Sequence, residues 1–229
     1  MTTDVKICGL TTPATMAVAL DAGADYVGLV FFPPSPRTLN MVDAEPLADM
    51  ARGKAKIVVL TVDPDDALVD AIAARLRPDV IQLHGSETPA RATAIRQRTG
   101  CAVMKAVKVA TAVDAETAFA YAAPNGPCEL ILFDAKAPKD AVLPGGNGLT
   151  FDWRALEGIA GRLEYMLSGG LTPDNVADAI RLTGAGAVDV SSGVESAPGT
   201  KDAARIRAFL MAAKAVRSAP QTPAGAPRR

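Results

Sequence analysis

Eight short apolar, β-branched runs punctuate the chain, beginning near Val5, Tyr26, Lys56, Val80, Val103, Leu130, Tyr165 and Ala187. The segments between them carry Ala, Leu, Ile and Val at helical spacing. Alternating strands and helices call for a parallel sheet covered by helices, and eight such units in 229 residues are what a closed barrel requires. The expected fold class is therefore α/β, a single (β/α)8 TIM barrel. An open doubly wound sheet is the other architecture compatible with this pattern. Its usual dinucleotide fingerprint, Gly-x-Gly-x-x-Gly after the first strand, is missing, because "ICGLTTPAT" (7–15) offers only Gly9.

Local chemistry marks several element boundaries. Thr12-Pro13, Asp63-Pro64 and Thr172-Pro173 each place a capping side chain before a proline suited to the first helical position. Stops are expected at Gly23, Pro78, Gly100 and Gly184. No linker divides the chain, so residues 1–217 are read as one barrel domain. The remainder, "SAPQTPAGAPRR" (218–229), is a Pro/Ala-rich tail with nothing to bury and is expected to be disordered.

Composition narrows the partners. The apolar share of 49% is ample for a core, and 24 basic against 25 acidic residues leave a net charge of −1, with no global basic field to hold a nucleic acid. The start "MTTDVKICGL" has no basic leader followed by an apolar block, and "YVGLVFF" is far shorter than the roughly 20 residues of a membrane span. A cytoplasmic protein without a membrane partner is expected. Cys8, Cys101 and Cys128 form an odd, widely spaced set with no Cys-x-x-Cys, which argues for free thiols and against a disulfide framework or a metal site.

In barrels of this kind the reacting groups sit at the C-terminal ends of the strands and in the loops that follow. Cys8 ends "VKICGL" just before Gly9, so it is either a small buried hydrophobe or a sulfur at the mouth. Asp134 ends the sixth strand, "LILFDAK", and is followed by "AKAPKDAVLPGGNGLT", sixteen residues before "FDW" opens the next helix. A connection that long reads as a lid hinged at Pro144, Gly145, Gly146 and Gly148.

"LSGGL" and "DVSSGVE" close the seventh and eighth strands. Gly169, Gly170 and Gly193 would let the backbone approach a phosphate there, and Ser191 and Ser192 would add hydroxyl donors. His84 ends the fourth strand. Arg37 follows the second and is a candidate clamp for a substrate carboxylate, its planar fork suited to bidentate contact. Lys6 shares parity with Cys8 but lies deeper. A buried ammonium needs a partner, and Asp189 on the neighbouring eighth strand is the expected one.

Taken together, "KICG" (6–9), "GLVFFPPSPR" (28–37), "QLHG" (82–85), "FDA" (133–135), "PGGNGLTFDW" (144–153), "SGGL" (168–171) and "DVSSGVE" (189–195) resemble the phosphoribosylanthranilate isomerase family of tryptophan biosynthesis. The resemblance implies an Amadori rearrangement of N-(5'-phosphoribosyl)anthranilate, an aminoaldose, to the aminoketose 1-(2-carboxyphenylamino)-1-deoxyribulose 5-phosphate, with no cofactor. It implies Asp134 as general acid and Cys8 as general base. Arg37 would meet the anthranilate carboxylate, His84 and Asp189 would line the pocket, and Gly169, Gly170, Ser191, Ser192 and Gly193 would surround the phosphate. A thiolate with a pKa near about 8.5, or lowered locally, would be basic enough, and burial at an apolar strand end would raise the acid's pKa. Asn147 and Ser168 depart from the family pattern, where Ser or Thr and Ala are common. The partner implied is a small phosphoribosyl molecule, and the chain works as a monomer or a homodimer.

Three rival readings stand beside it. The related isomerase of histidine biosynthesis uses two aspartates on a two-phosphate substrate, which Cys8 argues against. A Schiff-base aldolase needs a lysine at the mouth, whereas Lys6 is too deep and Lys136 sits in the lid. A barrel that binds phospho-ligands without chemistry is disfavoured by the presence of both Cys8 and Asp134.

Overall fold

The computed structural model describes residues 2–122, 124, 126–136, 145–146 and 148–216. Pro144, Asn147 and the tail from 218 onward lie outside the described residues. Eight parallel strands run in sequence order around a closed barrel: β1 (Asp4–Cys8), β2 (Tyr26–Phe31), β3 (Lys56–Thr61), β4 (Val80–Leu83), β5 (Ala102–Val109), β6 (Leu130–Ala135), β7 (Met166–Leu167) and β8 (Ala187–Val190). Closure is made by β1, which pairs with β2 on one side and β8 on the other, so that Lys6 has Tyr26 and Asp189 as its two register partners. An open doubly wound sheet would leave two unpaired edges, and this sheet has none.

Among the described residues seven helices cover the outside: α1 (Pro13–Asp21), α2 (Met41–Ala51), α3 (Asp66–Leu76), α4 (Pro89–Thr99), α5 (Ala112–Glu116), α6 (Val176–Thr183) and α7 (Ala203–Lys214). Thr12 caps α1 as expected, its hydroxyl accepting from the Thr15 amide at 3.2 Å. Two other starts fall later than the proline signal. α3 begins at Asp66 under an Asp65 cap, because Asp63 is engaged elsewhere: its amide donates to Glu87 and its carboxylate accepts from the Ser86 amide. α6 begins at Val176, since Asn175 Oδ1 accepts from the Thr172 amide and holds the chain in a turn first. Gly100 and Gly184 end α4 and α6 in the left-handed region, and Arg77 does the same for α3 just before Pro78. α1 stops at Asp21, two residues ahead of Gly23.

The helix expected after "FDW" is only a 3₁₀ turn, Trp153–Leu156, with Asp152 accepting from the Arg154 amide at its start. Gly158 and Gly161 follow within the next turn and a half. Each glycine costs roughly 1 kcal/mol in a helix, and Gly161 has a positive φ of 74°. Beyond β8 the chain forms an antiparallel hairpin that the sequence reading did not anticipate, β9 (Glu195–Ala197) with β10 (Thr200–Lys201).

The core has two layers. Between strands and helices lies the larger one, which includes Val5, Ile7, Val27, Leu29, Ile57, Val59, Ile131 and Phe133. Inside the barrel a smaller cluster holds Tyr26, Val58, Val80, Met104, Ala106, Leu132 and Met166. Side chains alternate across a strand, so stepping by two from these interior positions toward the C-terminal ends reaches Gln82, His84, Lys108, Asp134 and Ser168. By the same parity Lys6, Cys8 and Asp189 point inward. Among the described residues no helix is long and apolar enough to cross a membrane.

Candidate active site

The interior parity delivers one cluster of polar side chains to the C-terminal mouth of an otherwise apolar barrel. Cys8, Arg37, His84, Asp134, Gly145, Gly146, Gly148, Ser168 and Asp189 line a single cleft together with Gly169, Gly170, Ser191, Ser192 and Gly193. The cleft opens to solvent at its mouth, and the space between its walls, open solvent included, is about 790 Å³. Each candidate named from the sequence thus reaches one cavity. Among the described residues no group of three or more His, Cys, Asp or Glu side chains is placed to hold a metal ion.

At the floor, Lys6 is fully buried and its ammonium donates to Asp189 Oδ1 at 2.9 Å, the pairing expected from strand adjacency. Asp189 Oδ2 accepts from the Ser168 hydroxyl at 3.0 Å, so Ser168 has a specific partner. Burial acts to lower the Lys6 pKa, but Asp189 outweighs it and the group is held above the usual lysine value. Just above sits the Cys8 thiol, also buried. Burial pushes its pKa up, Lys6 opposes the rise and Asp189 adds to it. The net direction is upward, contrary to a locally lowered thiol: a charge in the barrel interior is costly, and the neighbouring cation is already shared with a carboxylate.

Asp134 departs from expectation in the opposite sense. Burial alone would raise its pKa, but Lys108 and His84 overcome this and hold the carboxyl well below the usual carboxylate range. Lys108 Nζ donates to Asp134 Oδ2 at 2.9 Å, and His84 Nε2 lies 3.2 Å from the same oxygen. Lys108 Nζ and His84 Nε2 are themselves in close contact. The His84 pKa is lowered by burial and by Lys108, leaving the ring neutral, and Gln82 Nε2, 3.0 Å from Nδ1, holds its orientation. Burial likewise lowers the Lys108 pKa, against the pull of Asp134. The loop after β6 packs onto this group: a Cβ on Gly145 would stand 2.5 Å from Asp134 Oδ2 and 2.3 Å from His84 Nε2.

Arg37 reaches the rim but its fork is not free. Nε and Nη2 donate to the two oxygens of Glu195 at 2.7 and 2.9 Å, and Nη2 also donates to the Gly146 carbonyl at 3.3 Å. That edge is therefore closed to the bidentate substrate contact expected from the sequence. On the far side, the loops after β7 and β8 touch, since a Cβ on Gly193 would stand 1.8 Å from the Leu171 carbonyl oxygen. Only a glycine allows that approach. Lys201 Nζ donates to the Ser191 carbonyl at 2.9 Å and sits 3.2 Å from its hydroxyl, steadying the second loop.

Three polar residues of the site were missed in the sequence: Lys108, Glu195 and Lys201. Lys108 was within reach, because it shares parity with Met104 and Ala106 on a strand whose end faces the mouth. Glu195 and Lys201 carried no such signal, since their position depends on the β9–β10 hairpin.

A family model described as N-(5'phosphoribosyl)anthranilate (PRA) isomerase matches residues 5–212. An N-(5'-phosphoribosyl)anthranilate isomerase from Bradyrhizobium sp. (strain BTAi1) is 56% identical over 211 residues, 92% of this chain and 95% of the relative. The crystal structure of phosphoribosyl anthranilate isomerase from Thermotoga maritima superposes with a TM-score of 0.83 at 35% identity, covering 93% of this chain and all of that one. Another structure of such an isomerase, in complex with reduced 1-(o-carboxyphenylamino)-1-deoxyribulose 5-phosphate, has a TM-score of 0.80 at 33% identity over 93% of this chain and 100% of its own.

Proposed function

This chain belongs to the N-(5'-phosphoribosyl)anthranilate isomerase family, and from that premise we propose that Cys8 and Asp134 are the base and acid of its reaction. It catalyses the aldose-to-ketose isomerisation of N-(5'-phosphoribosyl)anthranilate in tryptophan biosynthesis. The observation that carries the assignment of roles is the convergence of a buried thiol and a buried carboxyl on one cleft beside two glycine-rich loops.

The substrate lies with its 5'-phosphate against Gly169, Gly170, Ser191, Ser192 and Gly193, where backbone N–H groups and hydroxyls can donate to it. The anthranilate carboxylate meets Arg37, while His84 and Asp189 line the sugar. Asp134 protonates the furanose ring oxygen. The C1'–O bond breaks toward that oxygen as the anilino nitrogen lone pair forms an iminium. The Cys8 thiolate then removes the C2' proton, and the released electrons neutralise the iminium to give an enolamine. Ketonisation adds a proton at C1' and releases one from the C2' hydroxyl, so the rearrangement needs no outside oxidant or reductant.

Asp134 is ionised in the resting site and must acquire a proton. Its nearest source is Lys108, already donating to Oδ2. Passing that proton from Nζ to Oδ2 converts an ion pair into a neutral amine and a neutral acid, a pairing that a drier site favours over two charges. Burial acts in this direction on both groups, raising the carboxyl pKa and lowering that of the ammonium. Substrate covering the mouth strengthens it. Cys8, its pKa raised by burial, rests as a thiol that gives its proton to solvent before substrate covers the mouth, and the thiolate so formed is the stronger base for that raised pKa.

The three cysteines are unpaired, which fits a reducing, cytoplasmic setting for the enzyme, acting as a monomer or a homodimer. Phosphoribosylanthranilate generated in the cuvette tests the function: the protein should accelerate the loss of anthranilate-type fluorescence. Binding without acceleration would leave a phospho-ligand binder instead.

A further inference from the structure

Arg37 is buried at the rim of the cleft with two of its three nitrogens held by one carboxylate, the side-on pair with Glu195. Glu195 is itself buried and held from a second direction, since Lys201 Nζ donates to its Oε1 at 2.7 Å and the Gly199 amide to its Oε2 at 3.1 Å. Two cations share one anion, so this pocket wall carries a net positive charge that no carboxylate of the cluster cancels. Among the described residues Arg37 Nη1 has no hydrogen-bond partner. It lies beside Gly146, where a Cβ would approach it to 2.8 Å. A long, flexible arginine thereby becomes a fixed donor with one nitrogen left open.

We propose that Glu195, locked by Lys201, is a positioning residue that aims Arg37 Nη1 at the anthranilate carboxylate. Lys201 also grips Ser191, so the same hairpin links the wall that receives the carboxylate to the loop that receives the phosphate. The two ends of the substrate are then received by elements at a set separation. The inference rests on Arg37 being the carboxylate contact, and the experiment separates failure of that reading from failure of this one.

The reduced product analogue, 1-(o-carboxyphenylamino)-1-deoxyribitol 5-phosphate, and its counterpart lacking the carboxyl group would be titrated by calorimetry into wild type, R37A, E195Q and E195Q/R37A, with kcat and KM measured in parallel. Glu195→Gln keeps the shape but removes the charge that orients both nitrogens. It should weaken the carboxylated ligand by roughly tenfold or more, change the des-carboxy ligand less than about twofold, and raise KM far more than it lowers kcat. In the R37A background it should add nothing further. Equal weakening of both ligands, or an effect that adds in full to R37A, overturns the positioning role. If R37A itself fails to distinguish the two ligands, the carboxylate reading of Arg37 falls first. Lys201→Met reads the same arm should E195Q not fold: it also releases Ser191 on the phosphate side, so both ligands should weaken, the carboxylated one clearly more when Arg37 is present, and equal weakening of the two would count against the proposal.

Discussion

Lys108 Nζ stands 2.9 Å from Asp134 Oδ2, an ion pair between register partners on adjacent strands at the barrel mouth. It means that the proposed acid is a carboxylate until the site dries around it, and that its proton belongs to a pair of groups rather than to one.

The pair makes a prediction about pH. Asp134 and Lys108 together keep their last proton until pH rises through the lysine value, which burial lowers from its ordinary position. In Lys108→Met the acid stands alone and loses its proton at its own carboxyl pKa, which burial raises and His84 lowers. The alkaline limb of the kcat profile should therefore move to lower pH in this variant. An alkaline limb unchanged in position would exclude Lys108 from the proton path.

Cys8→Ala and Asp134→Ala should each cost turnover by about 10²–10⁴-fold, the usual contribution of a general acid or base. Both residues sit at strand ends with small volumes to refill, so cooperative unfolding should be largely kept. Single-turnover rates beside urea melts check both halves, and a near-wild-type rate in either variant removes that residue from the mechanism.

At the floor, Lys6→Met should destabilise the fold by about 3–5 kcal/mol, because it strands the buried Asp189 carboxylate without its cation. The folded pKa of Lys6 is raised above the unfolded one, so this stabilisation is complete below the ordinary lysine value and disappears as pH climbs through the folded value. Urea midpoints of wild type and variant should differ clearly at neutral pH and converge in strong alkali. Equal midpoints at neutral pH would show that the pair contributes nothing.

Gly193→Ala should separate the two loops proposed to hold the phosphate, as its methyl group would fall 1.8 Å from the Leu171 carbonyl oxygen. The substrate KM should rise and inorganic phosphate should inhibit more weakly, with kcat less affected. Unaltered phosphate inhibition would place the anion elsewhere.

Much of this architecture could be read before any coordinates. Eight apolar runs with helices between them, Thr12 before Pro13, and Gly100 and Gly184 past their helices are each decided by neighbours a few residues away. Local sterics and hydrogen bonding act within that range. The same locality explains the errors. Asp63 looked like a cap until Ser86 and Glu87 claimed it from the next loop, Thr172 looked like one until Asn175 held its amide in a turn, and "FDW" looked like a helix start because its pattern ignored the glycines ahead.

Strand parity and strand ends, both written into the chain, determine that Cys8, His84, Asp134 and Asp189 face one mouth. What they can do there was decided only by the folded molecule. Burial drives the Cys8 thiol up, Lys108 holds Asp134 ionised, and Glu195 arrives from a hairpin 158 residues away to take the fork of Arg37. The division has one cause: backbone geometry follows from adjacent residues, whereas charge responds to everything within a few ångströms, and closing the barrel chooses those neighbours without regard to their order in the chain.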